Sequence, residues 1–239
     1  MDDFYAWKPE YTSPVFAILC VTIFFSVYWF LSINKKIKQS FLTESPNEQR
    51  WINYVLFQKL AGAFLFGIIP AVLTLMFTPY SLYELGIQLG DINVSLIYTA
   101  IMAPLIILMN FFAARKPESL ETYPQMRIAT WTKKRFLINA LGWGAYLFAY
   151  EFLFRGILLI MCYNAFGFWP AVAINIALYC CTHIPKGMNE TIGAFPYAIL
   201  LCYVTTATNS LVVSFFTHWI MSLSSDFFSV KYNPKMKFV

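Results

Sequence analysis

The sequence predicts an all-α bundle of helices that crosses a membrane about seven times. Three observations lead there. Apolar runs of roughly 20 residues, the length that spans the hydrocarbon of a bilayer, recur along the chain. Hydrophobic residues make up 59% of it and charged residues 12%, about half the charged fraction of an ordinary soluble domain. The basic residues gather beside the apolar runs, as they do in proteins oriented by the positive-inside rule.

Taken in order, the N-terminal stretch MDDFYAWKPEYT is acidic and aromatic, where a secretory signal would be basic. A long apolar run and then NKKIK follow it. This order predicts a retained first helix at 14–34 with its N-terminus outside. Further spans are expected at 54–78, 94–114, 136–162, 169–184, 192–208 and 210–229, in one integral membrane domain over 1–239. The fifth and sixth are short for a full crossing. Pro170 suits a first helical turn, where its missing N–H would be unpaired anyway. Pro185 helps end the helix before it. Pro70, Pro104 and Pro196 fall inside spans, where proline is a common cause of kinks.

The loops set the orientation. Loop 35–53 holds Lys35, Lys36, Lys38 and Arg50, with Lys59 just inside the next span. Loop 115–135 holds Arg115, Lys116, Arg127, Lys133, Lys134 and Arg135; Lys186 lies in 185–191, and Lys231, Lys235 and Lys237 in the tail. Seven crossings from an outside N-terminus place all of these, and the C-terminus, on the cytoplasmic side. Loop 79–93 has Glu84 and Asp91 and no Lys or Arg, which fits the outer side. The net charge of +5 thus reflects membrane orientation and not nucleic-acid binding. The five cysteines, Cys20, Cys162, Cys180, Cys181 and Cys202, fall in apolar runs without a CxxC pair and read as small apolar residues.

Against this background the stretch YEFLFRG, 150–156, stands out. An ionisable group at mid-bilayer costs roughly 2.5–3.5 kcal/mol on insertion scales and tends to pair or face a wet cavity. Glu151 and Arg155, four residues apart, share a helical face; the bland reading is a structural ion pair. The chain has two histidines, His183 near the end of the fifth span and His218 within the seventh. A lone membrane histidine is often hydrogen-bonded core. Two with a carboxylate make a candidate acid–base or zinc set, although the HExxH pattern is absent. Ser222 and Asp226 follow His218 at intervals of four, but two turns put Asp226 about 12 Å from His218 along the axis. It could orient the histidine only indirectly, or pair instead with Arg155 or a lysine. Glu190 lies four residues after Lys186, where a loop salt bridge is the plainer reading.

These residues resemble the motifs of the CAAX-protease and bacteriocin-processing membrane proteins, the CPBP or Abi family, which includes type II CAAX prenyl endopeptidases. Its EExxxR is matched by Tyr150-Glu151-Phe-Leu-Phe-Arg155, its FxxxH by Tyr179-Cys-Cys-Thr-His183, and its HxxxN/D by His218-Trp-Ile-Met-Ser222. The motif-bearing core is 136–229. In those endopeptidases the first Glu activates the attacking water and the Asn helps hold the oxyanion; here those positions are Tyr150 and Ser222. Some bacterial members share this pattern: an aromatic residue before a single Glu, then HxxKxxxExxG, matched by His183, Lys186, Glu190 and Gly193, then HW…D, matched by His218, Trp219 and Asp226.

The resemblance implies an intramembrane peptidase in a bacterial cytoplasmic membrane. Glu151 would be general base or metal ligand, with Arg155 holding the carboxylate ionised. His183 and His218 would bind a metal, possible zinc, or stabilise the oxyanion, a metal-free route being equally open. Glu190, Ser222 and Asp226 are supporting candidates. The implied partners are membrane lipid and a membrane-bound or lipidated peptide substrate. Two other classes are compatible with the sequence: a catalytically inactive scaffold of the same fold, favoured by the loss of the first Glu and the Asn, and a proton-coupled transporter, which lacks the expected repeat.

Overall fold

In the computed structural model, which describes residues 6–42 and 47–239, every apolar run is a helix. Asp2 and Asp3 of the acidic N-terminal reading lie outside the described residues. The helices are α1 (Pro9–Ser32), the short α2 (Lys35–Phe41), α3 (Glu48–Phe77), α4 (Ile92–Ala113), the short α5 (Pro117–Thr122), α6 (Lys133–Phe166), α7 (Phe168–Cys181), α8 (Met188–Thr208) and α9 (Val212–Tyr232). Local chemistry sets the starts. The side chains of Asn34, Asn47, Asp91 and Thr132 accept backbone N–H bonds from the first turns of α2, α3, α4 and α6, which relieves donors that have no partner inside a helix. Pro170 lies in the first turn of α7 and Pro185 in the 3-10 turn Ile184–Lys186 after it. Asn209, in the left-handed region at φ 52°, ends α8.

Five of these helices, α1, α3, α4, α6 and α8, are long and apolar enough to cross a membrane. The other two expected spans differ from them for distinct reasons. At 14 residues, α7 rises about 21 Å, short of the roughly 30 Å hydrocarbon core. The 21 residues of α9 are long enough, but they carry His218, Ser222, Asp226 and Ser229, all turned inward. Their polarity serves the interior of the bundle and lowers the hydropathy of the helix.

Burial identifies the central strut. The most apolar stretch of α6 is 83% buried, against 17% for α1 and for α4. The long helices α1, α3 and α8 pack on α6, α4 packs on α9, and their outer faces turn to lipid. Over Phe152–Ile160 α6 widens into a π-helical stretch whose nine residues are all buried. It packs on α1, α3, α7 and α8, and the main core forms around it from Ala17 and Cys20, Phe66, Val172 and Tyr179, and Ala198 and Cys202. α9 lies along both α4 and α6.

The basic loops meet at one end of the bundle. Glu48 accepts from the amides of Ala129 and Thr130 and pairs with Arg135 at 2.6 Å. Lys59 donates to Gln125, Tyr123 to Glu190, and Arg115 to Tyr232. Strand β1 (Thr130–Trp131) pairs in parallel with β2 (Lys237–Phe238), stitching the tail to the loop. At the opposite end loop 78–91 is held by Ser210 donating to the Gln88 carbonyl and Leu211 to that of Gly86. The same-sidedness expected from the charge pattern is thus built into the packing.

Candidate active site

The site is assembled on the widened part of α6. Glu151 and Arg155 are both fully buried, with Arg155 Nε 3.4 Å from Glu151 Oε2. The guanidinium carbon sits 4.2 Å from the centre of the Tyr179 ring, the stacked arrangement that a planar cation favours. Where π-helical hydrogen bonding disturbs the ladder, the Phe154 carbonyl is taken by Asn175 Nδ2 of α7 at 2.7 Å. Widened turns of this kind are frequent at functional sites, and here the turn falls on the motif residues themselves.

From α9, His218 Nδ1 reaches Glu151 Oε1 at 2.6 Å. With Nδ1–H donated to the carboxylate, Nε2 is the ring nitrogen left to accept a proton. His183, just past the end of α7, has Nδ1 3.0 Å from the Tyr179 carbonyl. A carbonyl can only accept, so this histidine also carries its proton on Nδ1 and presents Nε2 as acceptor. Each histidine is therefore oriented through one nitrogen, by a carboxylate in one case and a backbone carbonyl in the other. Both retain about 9% exposure, whereas Glu151 has none. The groups that can meet a reactant are the imidazoles, and the carboxylate stands behind one of them.

Tyr150, which stands where the motif has a first glutamate, lies on the other side of the pair. Its hydroxyl is 2.7 Å from Thr182 Oγ1, and Thr182 in turn donates to the Tyr179 carbonyl at 2.7 Å. With the threonine proton so engaged, the Tyr150 hydroxyl is the donor between them. The Tyr150 ring packs edge-on to His218 at 5.9 Å, as does Tyr197. The site is thus walled by aromatic edges.

The supporting candidates lie elsewhere. Ser222, one turn along α9, is buried without joining the Glu151–His218 contact. Asp226 pairs neither with Arg155 nor with His218: its Oδ2 accepts from Asn139 Nδ2 and Trp143 Nε1, each at 2.7 Å. Glu190 lies 3.6 Å from Lys186 and accepts from Tyr123 at 3.3 Å. Desolvation pushes the Tyr123 phenol well above its ordinary range and the charge of Glu190 adds to the shift, so Tyr123 keeps the proton it donates.

The resemblance left zinc ligation by Glu151, His183 and His218 and a metal-free route equally open. Among the described residues no three of His, Cys, Asp and Glu converge in a way that could hold a metal ion. One Glu151 oxygen is turned to His218 and the other to Arg155.

Sequence reading missed Thr182, Asn139, Asn175 and the buried role of Lys59. Asn139, in the run LINALGW, and Asn175, in AINIAL, carried a signal in hindsight, since a lone amide in an apolar run needs a partner. Thr182 carried none, because threonine is common in such helices.

Residues 133–224 match the family model described as type II CAAX prenyl endopeptidase Rce1-like. The matched segment runs from the start of α6 to residue 224 within α9 and contains Glu151, Arg155, His183 and His218. It supports a CAAX-type protease activity in general. No curated protein and no solved structure matches the chain.

Proposed function

We propose that this chain, whose residues 133–224 match the type II CAAX prenyl endopeptidase Rce1-like family model, is an intramembrane peptidase that hydrolyses a peptide bond of a membrane-associated or lipidated substrate. The observation that carries the reading is the 2.6 Å contact between Glu151 Oε1 and His218 Nδ1 inside an apolar bundle. A carboxylate that holds one imidazole nitrogen fixes the tautomer and stabilises the imidazolium that forms when the other nitrogen takes a proton. His218 Nε2 accepts a proton from water, and the oxygen of that water attacks the substrate carbonyl carbon. The proton then passes to the leaving nitrogen as the C–N bond breaks, giving a carboxyl end and an amine end. Arg155 balances the carboxylate charge, and His183 offers a second acceptor nitrogen for water or a substrate N–H.

An apolar groove of about 590 Å³ supports a lipidated substrate. It runs between α7 and α8, lined by Cys180, Thr191, Ile192, Phe195 and Pro196, and flanks the turn that bears His183. A hydrocarbon chain lying there would bring an attached peptide to the histidines. The proposed location is a bacterial cytoplasmic membrane, on the single-Glu motif pattern.

Purified wild-type protein, Glu151→Gln and His218→Gln in liposomes, given lipidated and plain membrane peptides, test this by mass spectrometry of the products. Loss of the base is expected to lower kcat by about 10²–10⁴-fold. His218→Gln is the cleaner arm, because Glu151→Gln also strips Arg155 of its partner. Equal cleavage by all three proteins would sink the assignment. A second reading, an inactive scaffold, is favoured by one observation: Tyr150 replaces the first glutamate and is used in a structural hydrogen bond. It predicts that Glu151→Gln at normal protein levels leaves cellular function intact.

A further inference from the structure

Helices α6 and α9 are joined by polar contacts at more than one level. His218 meets Glu151 at one level, and Asp226 meets Trp143 at another. On α9 the two partners are eight residues apart, 226 − 218 = 8, and on α6 they are also eight apart, 151 − 143 = 8. Eight residues rise about 12 Å on an α-helix. The two contacts are therefore rungs of equal spacing on one antiparallel ladder. Asp226 is fully buried, and its Oδ2 takes a second bond from Asn139, one turn further along α6. Lys59 of α3, 2% exposed, packs on the same indole, with its Nζ 2.9 Å from the centre of the Trp143 ring. Trp219 adds a third link by donating to the Ala140 carbonyl at 2.9 Å. Asp226 lies beyond residue 224, where the family match ends.

We propose that Asp226, held by Asn139 and Trp143, is a positioning residue that sets the register of α9 against α6 and so brings His218 Nδ1 onto Glu151. A carboxylate that accepts two indole and amide N–H bonds in a buried setting tolerates little sliding, because any slip leaves both donors and the charge unpaired. The remote rung fixes the helices, and the near rung inherits the fit. The catalytic consequence rests on the peptidase reading; the positioning itself does not.

The chain has two histidines, which makes selective ¹⁵N-histidine labelling the direct test. The Nδ1 proton of His218 is read by NMR in detergent and assigned by its disappearance in His218→Gln. In Asp226→Ala that signal is expected to be lost, while the His183 signal and the helical circular dichroism persist. Trp143→Phe, which removes one donor and keeps a ring, should weaken the signal and serves if Asp226→Ala does not fold. The double variant Lys59→Met/Asp226→Asn keeps an acceptor oxygen for Trp143 without the charges and is expected to restore the signal. Thr205→Val, which breaks the buried 2.6 Å Thr205–Ser214 bond between α8 and α9, is the control for general destabilisation. An unmoved His218 signal in Asp226→Ala or in Trp143→Phe overturns the proposal, as does an equal loss in Thr205→Val. No substrate is needed, so failure here and failure of the peptidase reading are separate results.

Discussion

Arg155 pairs with Glu151 away from solvent, so removing the guanidinium leaves the buried carboxylate with His218 alone. Arg155→Met is expected to destabilise the protein by about 3–5 kcal/mol, the usual cost of leaving a buried charge unpaired, measured by thermal unfolding in detergent. Arg155→Lys should recover little of that loss, because a compact ammonium does not reproduce the 4.2 Å contact of the guanidinium carbon with the Tyr179 ring. A variant as stable as wild type would show that the pair carries no structural load. The role of Glu151 shifts in the same geometry. The resemblance implied that Glu151 is a general base or a metal ligand, while spacing alone makes Glu151 and Arg155 a pair and leaves the other carboxylate oxygen unassigned. The structure gives that oxygen to His218, a partner 67 residues away, and periodicity cannot reveal a contact between distant helices.

The widened segment of α6 depends on close approach by its neighbours. A Cβ placed on Gly156 would lie 2.8 Å from the backbone oxygen of Leu85. In an ordinary helix interior, Gly to Ala adds roughly 0.5–1 kcal/mol of stability. Here the sign should reverse. Gly156→Ala is expected to cost about 1–3 kcal/mol, as overpacking does where the neighbour cannot yield, and the shift in Tm measures it. A gain in Tm would mean that loop 78–91 is free to move. The proline at the start of α7 was legible, because it acts through residues within a turn of itself. The π-helical stretch was not. FLFRGILLI is apolar throughout apart from Arg155, and an unbroken apolar run reads the same at either helical pitch.

For the molecule as a whole, helix order and the clustering of basic loops followed from composition and charge, which act over whole segments. Orientation in a cell follows from the same rule and has a direct check. In a background without native cysteines, Lys133→Cys and Lys235→Cys should react with an impermeant maleimide from the cytoplasmic side, and Lys8→Cys from the outer side. Labelling of all three from one side would refute the seven-crossing order. What the charge rule could not anticipate is Lys59, counted at first among the orienting residues. All twelve lysines of the chain lie in the described part. Eleven of them are exposed, and Lys59 is 2% exposed. An acylating reagent should therefore modify the folded protein readily at eleven side chains and stop. An adduct on Lys59 requires α3, α6 and α9 to part, so mass spectrometry of the peptide that holds Lys59, followed over time, would count the molecules that have opened and turn one buried amine into a clock for the bundle's breathing.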